Sequence, residues 1–463
     1  MDFAKFFAAG AGRTVRVGLV GVGEFGATLA AQARAIPQLA LVAFADREPQ
    51  RVLDVLGALG IGRDSIALCD TRTKAEAALA AGRIVVSEDN SVVVDSPLDV
   101  LVEATGHPEG GAINAERALR QRRHVVLVSK EVDSVVGPYL ARLARDNGVV
   151  CSPVEGDQPA LLMGLVSWAQ ALGLEIVALG KSSEYDYVFD PTRAQVTWRT
   201  QTIDTPWFGG LWPLDARDPG RTLAARSLAI AALPQRTVPD YCEMCLVANA
   251  TGFRPDTPRL HAPLARTVEL PTILRLRERG GVLAAKGAIE VFNCLRRPDE
   301  ASFAGGVFVV VAGADRKTFN VLKGKGIPVD AADDHMLLYN PSHLLGVEAP
   351  MSILQAGLLG RSSGPAETKP VCDVVGRATR DLAAGALLSL DQRHAIDGVE
   401  AELVPACAAA PGNPAPFYLA GWNRLARDVR AGELLTVDAI ARPADSALWR
   451  MRAEQDRMFG ARA

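Results

Sequence analysis

Three closely spaced glycines near the start of the chain constrain its fold more than any other feature. An apolar, β-branched run at residues 17–20 leads directly into Gly21, Gly23 and Gly26. A second apolar run ends at Asp46, about twenty residues further on. The glycine pattern alone is weak. A strand, a glycine turn, a helix and an acid in this order are nevertheless typical of a dinucleotide-binding βαβ unit, so the sequence predicts an N-terminal Rossmann-type domain.

The same turn indicates how a coenzyme would be held. Gly21 permits the tight turn, Gly23 lets the backbone approach a pyrophosphate, and Gly26 lets the helix pack against the strand. Glu24 and Phe25 open that helix, whose free backbone N–H groups bind phosphates. We expect these five residues to contact the coenzyme.

The choice of coenzyme depends on Asp46 and Arg47. The Asp46 carboxylate can accept hydrogen bonds from the two ribose hydroxyls of NAD and would repel a 2′-phosphate, whereas Arg47 can bind that phosphate. Arg47 on a solvated turn without any ligand is the alternative. The sequence therefore predicts NADP or NAD, with a slight preference for NADPH.

Strand-like and helix-like patterns alternate over residues 1–151, which predicts a doubly wound parallel sheet. An added hairpin is expected at residues 83–95. The main strands are expected at residues 15–20, 40–45, 99–106 and 124–130. Ligands of such sheets lie beyond the carboxyl ends of the strands. Thr105 and Gly106 should therefore border the coenzyme, and Lys130 should reach towards the nicotinamide.

The regular alternation ends near residue 152. Residues 152–365 mix strand-like runs with Trp-, Pro- and Gly-rich loops, which predicts an α+β domain for substrate binding and dimerisation. One of its strands is expected at residues 267–270. A helix at residues 347–359 could return to the first domain.

Residues 366–463 are expected to form a small β-rich domain. They contain an internal repeat in which residues 376–391 resemble residues 423–438. Each copy has the pattern of a strand, a glycine turn and a second short strand before an acid. Two copies are too few for a solenoid and suit a small β-rich domain. Together with the two preceding domains, this predicts an α/β protein of three domains.

Lys130 is the first candidate for catalysis, because a lysine at this place can hydrogen-bond a substrate oxygen and move its proton if its pKa is lowered. A solvated lysine at a helix start is the alternative. Glu155, Asp157 and Gln158 lie on the loop between the first two domains, and domain junctions commonly bind substrates. Lys181 follows a strand close by. The catalytic candidates are Lys130, Lys181 and Asp157.

Further residues are candidates for substrate binding. Lysine and hydroxyl groups together suit a phosphate or a carboxylate, whereas a lone histidine is more often structural. Acids and a histidine adjacent in sequence, as at residues 333–335, rarely form a complete metal shell, and a single Cys-x-x-Cys motif at residues 242–245 is more often two ordinary thiols. No metal site is predicted, although a divalent metal remains open as a cofactor. The substrate-binding candidates are Glu155, Gln158, Ser182, Ser183, Lys286 and His335.

Composition excludes several classes of function. The chain has 463 residues, a formal net charge of −3 and no concentrated basic block, so a nucleic-acid partner is not expected. No apolar run reaches the roughly 18 residues that a membrane helix needs. Seven cysteines, an odd number in a long chain, do not suggest a disulfide framework and favour a reducing compartment. We expect a cytoplasmic protein with a small-molecule substrate.

Four segments in this order resemble the homoserine dehydrogenase superfamily: residues 21–26, 45–47, 103–106 and 129–131. In that family the lysine matching Lys130 is a proposed catalytic group. The acidic, lysine-ended helix segment of homoserine dehydrogenases is missing, and residues 155–160, 180–187 and 340–348 look more like the reductoisomerase-like branch. Members of that branch end in an SAF-type module, which residues 371–440 resemble. Matched by position, the resemblance implies a substrate pocket of Lys130, Asp157, Lys181, Lys286 and His335.

The resemblance implies an NAD(P)-dependent oxidoreductase that acts on the CH–OH group of a small polar, phosphorylated or acidic, hydroxy or keto substrate. The characterised reaction of the branch is NADPH-dependent conversion of 1-deoxy-D-xylulose 5-phosphate to 2-C-methyl-D-erythritol 4-phosphate, which supplies isoprenoid precursors. A homodimer through the middle domain is also implied. The alternatives are a homoserine dehydrogenase-like enzyme, a polyol or sugar-acid dehydrogenase, and a coenzyme-sensing regulatory protein.

Overall fold

The computed structural model describes residues 2–10, 12–313, 315–330, 332–365 and 367–460. The first domain consists of α1 (Phe3–Phe6), β1 (Val15–Val20), α2 (Glu24–Ala33), β2 (Leu39–Ala45), α3 (Pro49–Ala58), β3 (Ile66–Leu68), α4 (Arg72–Ala80), β4 (Ile84–Ser87), α5 (Asn90–Val94), β5 (Val100–Glu103), α6 (Pro108–Arg120), β6 (His124–Leu127), α7 (Lys130–Asp146) and β7 (Cys151–Pro153). Its seven strands are parallel in the order β3-β4-β2-β1-β5-β6-β7. Apolar clusters cover both faces of this sheet, so the Rossmann-type prediction is confirmed.

The predicted hairpin at residues 83–95 is wrong in its second half. Strand β4 pairs in parallel with β2 and β3, and the chain then turns into α5 instead of a returning strand. The Asp89 carboxylate accepts the N–H of Ser91 at 2.8 Å and so caps this helix. The three valines at residues 92–94 are buried inside the helix. Tertiary burial has overridden their β-branched preference for strand.

The middle domain contains α8 (Gln158–Ala171), β8 (Ile176–Asp190), β9 (Gln195–Trp198), β10 (Gln201–Asp204), α9 (Pro219–Ala229), α10 (Val238–Thr251), β11 (Arg254–Pro255), β12 (Leu264–Ala265), α11 (Leu270–Ile273), β13 (Ala288–Arg296), β14 (Val307–Ala312), α12 (Arg316–Gly324), β15 (His335–Asn340) and α13 (Ala349–Leu359). The long strand β8 lies at the centre of a mixed eight-stranded sheet, parallel to β13 and antiparallel to β14 and β9.

The strand expected at residues 267–270 is wrong. Thr267–Glu269 is a 3₁₀ turn that leads into α11. The Glu269 carboxylate binds the buried guanidinium of Arg226 at 2.7 Å and also accepts the backbone N–H of Arg266. This ion pair holds the segment in a turn, and a strand would carry the carboxylate away from its partner.

Helix α13 returns to the first domain, as the apolar pattern at residues 347–359 allowed. Ile353 and Ala356 are buried against the sheet face formed by β1 and β5. The helix approaches so closely that a Cβ at Gly357 would lie 2.6 Å from the side chain of Val15. The chain therefore passes from the coenzyme domain to the middle domain and back, which fixes the cleft between them.

The last part of the chain contains β16 (Cys372–Ala378), β17 (Val399–Pro405), α14 (Phe417–Ala420) and α15 (Ala447–Phe459). The two copies of the internal repeat run antiparallel and pair with each other around Leu382 and Val429, whose backbones exchange hydrogen bonds of 2.8 and 2.9 Å. Asp381 and Asp428 each accept a backbone N–H from the other copy. The repeat therefore forms a local pseudo-twofold unit, in which each copy provides hydrogen-bond partners for the other.

The last helix fastens this region to the first domain. Helix α15 packs against α6 and α7, and the Glu109 carboxylate accepts from the Ser446 hydroxyl and the Ala447 N–H at its start, both at 2.6 Å. The predicted boundary residue Ala366 lies outside the described residues. Within the described ranges, no helix combines the length and the apolar character that crossing a membrane requires.

Candidate active site

A cleft with a volume of about 320 Å³ opens at the carboxyl ends of β1, β2 and β5. Residues from each of these strand ends line it, among them Gly21, Gly23, Asp46, Arg47, Arg51 and Thr105. This is the place where parallel sheets of this topology bind dinucleotides. We refer to it as the coenzyme cleft.

The glycine turn is shaped for a phosphate group. Gly21 has φ +90°, and a Cβ on it would lie 2.4 Å from the carbonyl oxygen of Ala104. A Cβ on Gly26 would lie 2.6 Å from the carbonyl oxygen of Gly21, so α2 sits directly under the turn. Gly23 instead faces open space, and as the N-cap of α2 it leaves the first N–H groups without a side-chain acceptor. Free N–H groups and an unobstructed approach fit a pyrophosphate.

The two glycines should therefore respond differently to alanine. We expect Gly21→Ala to destabilise the fold itself, because the left-handed backbone and the contact with Ala104 both oppose a side chain. Gly23→Ala should leave the melting temperature nearly unchanged and weaken coenzyme binding tenfold or more, because its methyl group enters the cleft. Coenzyme titration by fluorescence and thermal melting measure the two effects. Unaltered affinity in Gly23→Ala would place the pyrophosphate elsewhere.

Asp46 is 8% exposed and lines the coenzyme cleft at the end of β2. Its carboxylate accepts the N–H groups of Val22 at 2.8 Å and Glu48 at 2.9 Å, which joins the glycine turn to the start of α3. The guanidinium of Arg51 lies 3.9 Å from the same carboxylate, and Arg47 lines the cleft beside it. The sequence identified Arg47 but missed Arg51, one helical turn further on.

The ends of β5 and β6 meet beside the cleft. The N–H of Gly106 donates to the Ser129 hydroxyl at 2.9 Å, and Thr105 bonds to the buried carboxylate of Glu103. Lys130 is the first residue of α7 and follows Ser129 directly. The structure thus brings together Thr105, Gly106 and Lys130, as the positions of the strand ends predicted.

Lys130 belongs to a set of two lysines and three acids that we call the lysine–carboxylate cluster. Its members are Lys130, Asp157, Lys181, Asp240 and Glu243. The Glu243 carboxylate bridges the two ammonium groups, one on each oxygen. Lys130 Nζ also lies 3.6 Å from Asp157, and Lys181 Nζ lies 2.8 Å from Asp240. The Lys181 side chain is 3% exposed and that of Lys130 is 22% exposed, so Lys130 is the more accessible of the two lysines.

Four elements place the cluster. Asp157 is the N-cap of α8, and its carboxylate accepts the N–H of Gln158 at 2.9 Å. Lys181 lies on β8, where it pairs with strands on either side. Asp240 and Glu243 are three residues apart on α10, so both carboxylates lie on one face of that helix. The domain junction predicted from the sequence is therefore where the charges converge.

Electrostatics keep these lysines protonated. Burial disfavours the charged form of Lys130, but the carboxylates of Asp157 and Glu243 raise its pKa well above the usual value. Burial also opposes ionisation of Glu243, yet the charges of Lys130 and Lys181 lower its pKa to about 2. The sequence argument required a lowered lysine pKa for proton transfer, and the direction here is the opposite. Lys130 therefore stays protonated and provides a fixed positive charge at this place.

Several predicted substrate residues are engaged with the protein. Gln158 donates to the carbonyl oxygens of Ser182 and Gly306, both at 3.0 Å, and the Ser182 hydroxyl donates to the carbonyl oxygen of Phe303 at 2.6 Å. The Ser183 hydroxyl donates to Asp240 at 2.7 Å. These contacts fix the backbone next to the lysine–carboxylate cluster. They also engage the hydroxyl groups that the sequence analysis assigned to substrate binding.

Glu155 lies at the other side of the junction. Its N–H donates to the Ser352 hydroxyl at 2.6 Å, at the start of α13. Burial and the nearby charge of Glu348 raise the pKa of Glu155 to about 7. Glu155 thus faces the segment that joins the middle domain to the coenzyme helix α2, where Gly346 packs against Thr28.

Lys286 and His335 are not brought to the cluster. Lys286 pairs with Glu175 at 2.6 Å, just before β8 begins. His335 pairs with Ala312 across the sheet, whereas Lys181 pairs with Val307. Five residues of strand separate these two levels, roughly 16 Å. Both residues therefore lie at the far end of the middle sheet.

The donor groups do not fit a divalent metal at the cluster. A cation would need the carboxylate oxygens of Glu243 and Asp240, which already hold lysine ammonium groups. A second set, Asp330, Asp334 and His335, lies within 4.8 Å, but two guanidinium groups occupy its carboxylates, Arg275 on Asp330 and Arg279 on Asp334.

Sequence reasoning missed Asp240 and Glu243. They flank the more conspicuous Cys-x-x-Cys motif, whose two thiols are simply buried, Cys242 beside the Tyr418 hydroxyl at 3.5 Å. The usable signal was the pair of acids with helical spacing inside the otherwise apolar residues 238–251.

The parallel sheet with its glycine turn and a match to an oxidoreductase family support an NAD(P)-dependent oxidoreductase. Residues 156–205 and 237–349 match the family described as "Oxidoreductase DRL, catalytic domain". This is about a third of the chain and includes Asp157, Lys181, Asp240 and Glu243.

Solved structures show distant similarity. A probable dehydrogenase from Thermotoga maritima is 12% identical, with 76% of this chain and 91% of that chain covered and a TM-score of 0.38. Scyllo-inositol dehydrogenase from Lactobacillus casei with bound NAD(H) and scyllo-inositol is 13% identical, with 66% and 75% covered and a TM-score of 0.35. 1-Deoxy-D-xylulose 5-phosphate reductoisomerase from Zymomonas mobilis in complex with NADPH is 16% identical, with a TM-score of 0.28.

For that reductoisomerase, 37% of this chain and 46% of that chain are covered, so the chain spans less than half of its length. Similar structures of DOX-P reductoisomerase in complex with magnesium are matched to the same extent. No curated protein matches the sequence. These structural similarities are too low to assign a role to any residue.

Proposed function

We propose that the protein catalyses the NADPH-dependent reduction, or reductive rearrangement, of a small polar hydroxy or keto compound at the lysine–carboxylate cluster. The observation that carries this proposal is the ammonium group of Lys130, partly exposed at the junction of two domains and held by Asp157 and Glu243. 1-Deoxy-D-xylulose 5-phosphate is the first substrate to test, because the sequence resembles the reductoisomerase-like branch at residues 155–160, 180–187 and 340–348.

The coenzyme, when bound, supplies hydride to the carbonyl carbon of the substrate. Lys130 donates a hydrogen bond to the carbonyl oxygen and transfers its proton as negative charge develops there. Glu243 and Asp157 orient the ammonium group, and Lys181 neutralises the other oxygen of Glu243. Because Lys181 is buried, this arrangement is preorganised and needs no movement during the reaction.

A polyol or sugar-acid dehydrogenase is the second candidate. One observation favours it: Ser182, Ser183 and Lys181, the groups suited to a substrate phosphate, are already bonded to protein atoms. An uncharged polyol needs only residues that hydrogen-bond to its hydroxyl groups, such as Lys130 and Asp157.

Substrate panels distinguish these candidates. NADPH absorbance should fall with 1-deoxy-D-xylulose 5-phosphate or another phosphorylated ketose if the reductoisomerase proposal holds, and product analysis by NMR would show the rearranged skeleton. Turnover of tetritols or inositols with NAD(P)⁺ instead would support the polyol proposal. Turnover of homoserine alone would reject both.

Arg47 and Arg51 support NADP as the coenzyme, because two guanidinium groups beside Asp46 can offset its charge and bind a 2′-phosphate. Replacing Arg47 by serine should weaken NADPH binding about 10- to 100-fold, the loss of one charge-assisted contact, and leave NADH binding nearly unchanged. Arg34→Ser, at the other end of α2, is the matched control. Equal losses for both coenzymes would contradict the assignment.

We also propose the three-domain division 1–151, 152–365 and 366–463, an SAF-like last domain, and a homodimer through the middle domain. Trp207 and Leu228 support the dimer, since they are 64% and 77% exposed on neighbouring segments of that domain. Sedimentation of the protein and of Leu228→Glu tests this: a dimer that the substitution dissociates is the expected result.

A further inference from the structure

A loop of the last domain reaches Gly106 and Glu131, which follow strands β5 and β6. The turn at residues 391–395 is held by Asp391, whose carboxylate accepts the N–H groups of Arg393 at 2.7 Å and Ala395 at 2.9 Å. His394 at its tip has φ +59°, a conformation that is costly for a residue with a side chain. Such strain persists only where the surroundings hold it, and it is common at functional sites.

The ring of His394 lies between two elements of the active site. A Cβ on Gly106, at the border of the coenzyme cleft, would lie 3.5 Å from His394 Cε1. On the other side, His394 Nδ1 lies 3.3 Å from a carboxylate oxygen of Glu131, which follows Lys130 in the chain. The Glu131 side chain is 5% exposed, and that of His394 is 31% exposed. His394 therefore separates a buried acid from solvent.

We propose that His394 and Glu131 form a proton-sharing pair through which the last domain sets the charge beside Lys130. The inference rests on the proposed function of Lys130 as proton donor. His394 acts through Glu131 and is a positioning residue. No redox or covalent step is involved: one proton resides on the pair or leaves it to solvent.

The surrounding charges favour a neutral pair. Burial, together with the carboxylates of Asp157 and Glu243, raises the pKa of Glu131 to about 7, against the opposing effect of Lys130. Burial and the charge of Lys130 lower the pKa of His394. The titratable groups facing the pair are Lys130 on α7, Glu103 on β5, Asp157 before α8, Cys242 and Glu243 on α10, and Asp391 and Tyr418 of the last domain.

Between the lowered pKa of His394 and about pH 7, protonated Glu131 donates to Nδ1 of His394, and the pair adds no charge. As the pH rises through about 7, Glu131 loses its proton and a negative charge appears beside Lys130. That charge raises the pKa of Lys130 further and makes it a weaker acid. We therefore expect kcat for reduction to fall by up to about tenfold across this step, because one pKa unit is a tenfold change in acidity.

The first test is the pH profile of kcat in the full-length protein. Glu131→Gln should abolish the inflection near neutral pH, and His394→Ala should move it to lower pH, because water then reaches Glu131. His124→Gln, at a half-buried histidine where β6 begins, at the opposite end of the sheet, should leave the profile unchanged. An inflection that persists unchanged in Glu131→Gln or in His394→Ala would overturn the proposal.

The second test does not depend on turnover. In protein with ¹³C-labelled histidine, the His394 ring signal, identified by its loss in His394→Ala, should shift near pH 7 when Glu131 ionises. That shift should be missing in Glu131→Gln. A His394 signal that titrates identically in both proteins overturns the pair, whereas a normal shift without any turnover would reject only the proposed reaction.

Discussion

Replacing Lys130 by methionine should reduce kcat by about 10²- to 10⁴-fold, the usual range for the loss of a general acid. Methionine keeps much of the side-chain volume but has no proton to give and no positive charge to stabilise an alkoxide. Coenzyme affinity should change little, because the phosphate and ribose contacts that we propose lie at Gly23, Asp46 and Arg47. Steady-state kinetics and coenzyme titration measure the two quantities separately.

The fold should tolerate this change, which makes the result interpretable. Glu243 keeps Lys181 as a partner, and Lys130 is already partly exposed. Lys74→Met, on the solvated face of α4, is the control for the loss of a lysine charge. Lys130→Arg should recover part of the activity, since it restores the charge but not the geometry of the ammonium group.

Two outcomes would contradict this account. Full turnover in Lys130→Met would place the proton donor elsewhere, with Asp157 the next group to replace. No turnover in the unaltered protein with any substrate of the panel, combined with tight coenzyme binding, would favour the coenzyme-sensing alternative. In that case the pseudo-twofold unit of the last domain becomes the candidate for transmitting the coenzyme-bound state to a partner.

The coenzyme half of the site could be predicted because the residues that form it lie close together in the sequence. Residues 15–46 specify strand, turn, helix and strand within one short segment, and each glycine has its own steric reason. The turn after β5 and the position of Lys130 then follow from the topology of parallel sheets. The hairpin prediction failed at residues 90–94, because the pairing partners of β4 lie far away in sequence.

The substrate half depends on contacts that no local pattern contains. Lys286 and His335 look like pocket residues in the sequence, but strand register decides which end of the middle sheet they occupy. Glu243 is a buried acid on an apolar helix, and only the folded chain shows that two lysines meet it. His394 is separated from Glu131 by most of the chain, so no spacing rule could join them.

Replacing Lys181 by methionine should strongly lower the free energy of unfolding. It would leave Asp240 and Glu243 buried without their shared cation, and breaking a buried ion pair from one side costs about 3–5 kcal/mol. We expect the melting temperature to fall by roughly 5–10 °C. Arg226→Met, which breaks the buried pair with Glu269 elsewhere in the same domain, is the matched control. Arg226→Met should lower the melting temperature by a similar amount and leave the kcat of the folded protein unchanged.

The pH dependence of this loss identifies its cause. The pKa of Glu243 is about 2 in the folded protein, below its usual value of 4.5. Its stabilising contribution is therefore complete above about pH 4.5 and is lost as the pH falls towards 2. In Lys181→Met the pKa of Glu243 should rise, so the stability gap between the two proteins should narrow as the pH falls through this window. A gap that is constant with pH would mean that lost packing, and not the charge of Lys181, holds the cluster together.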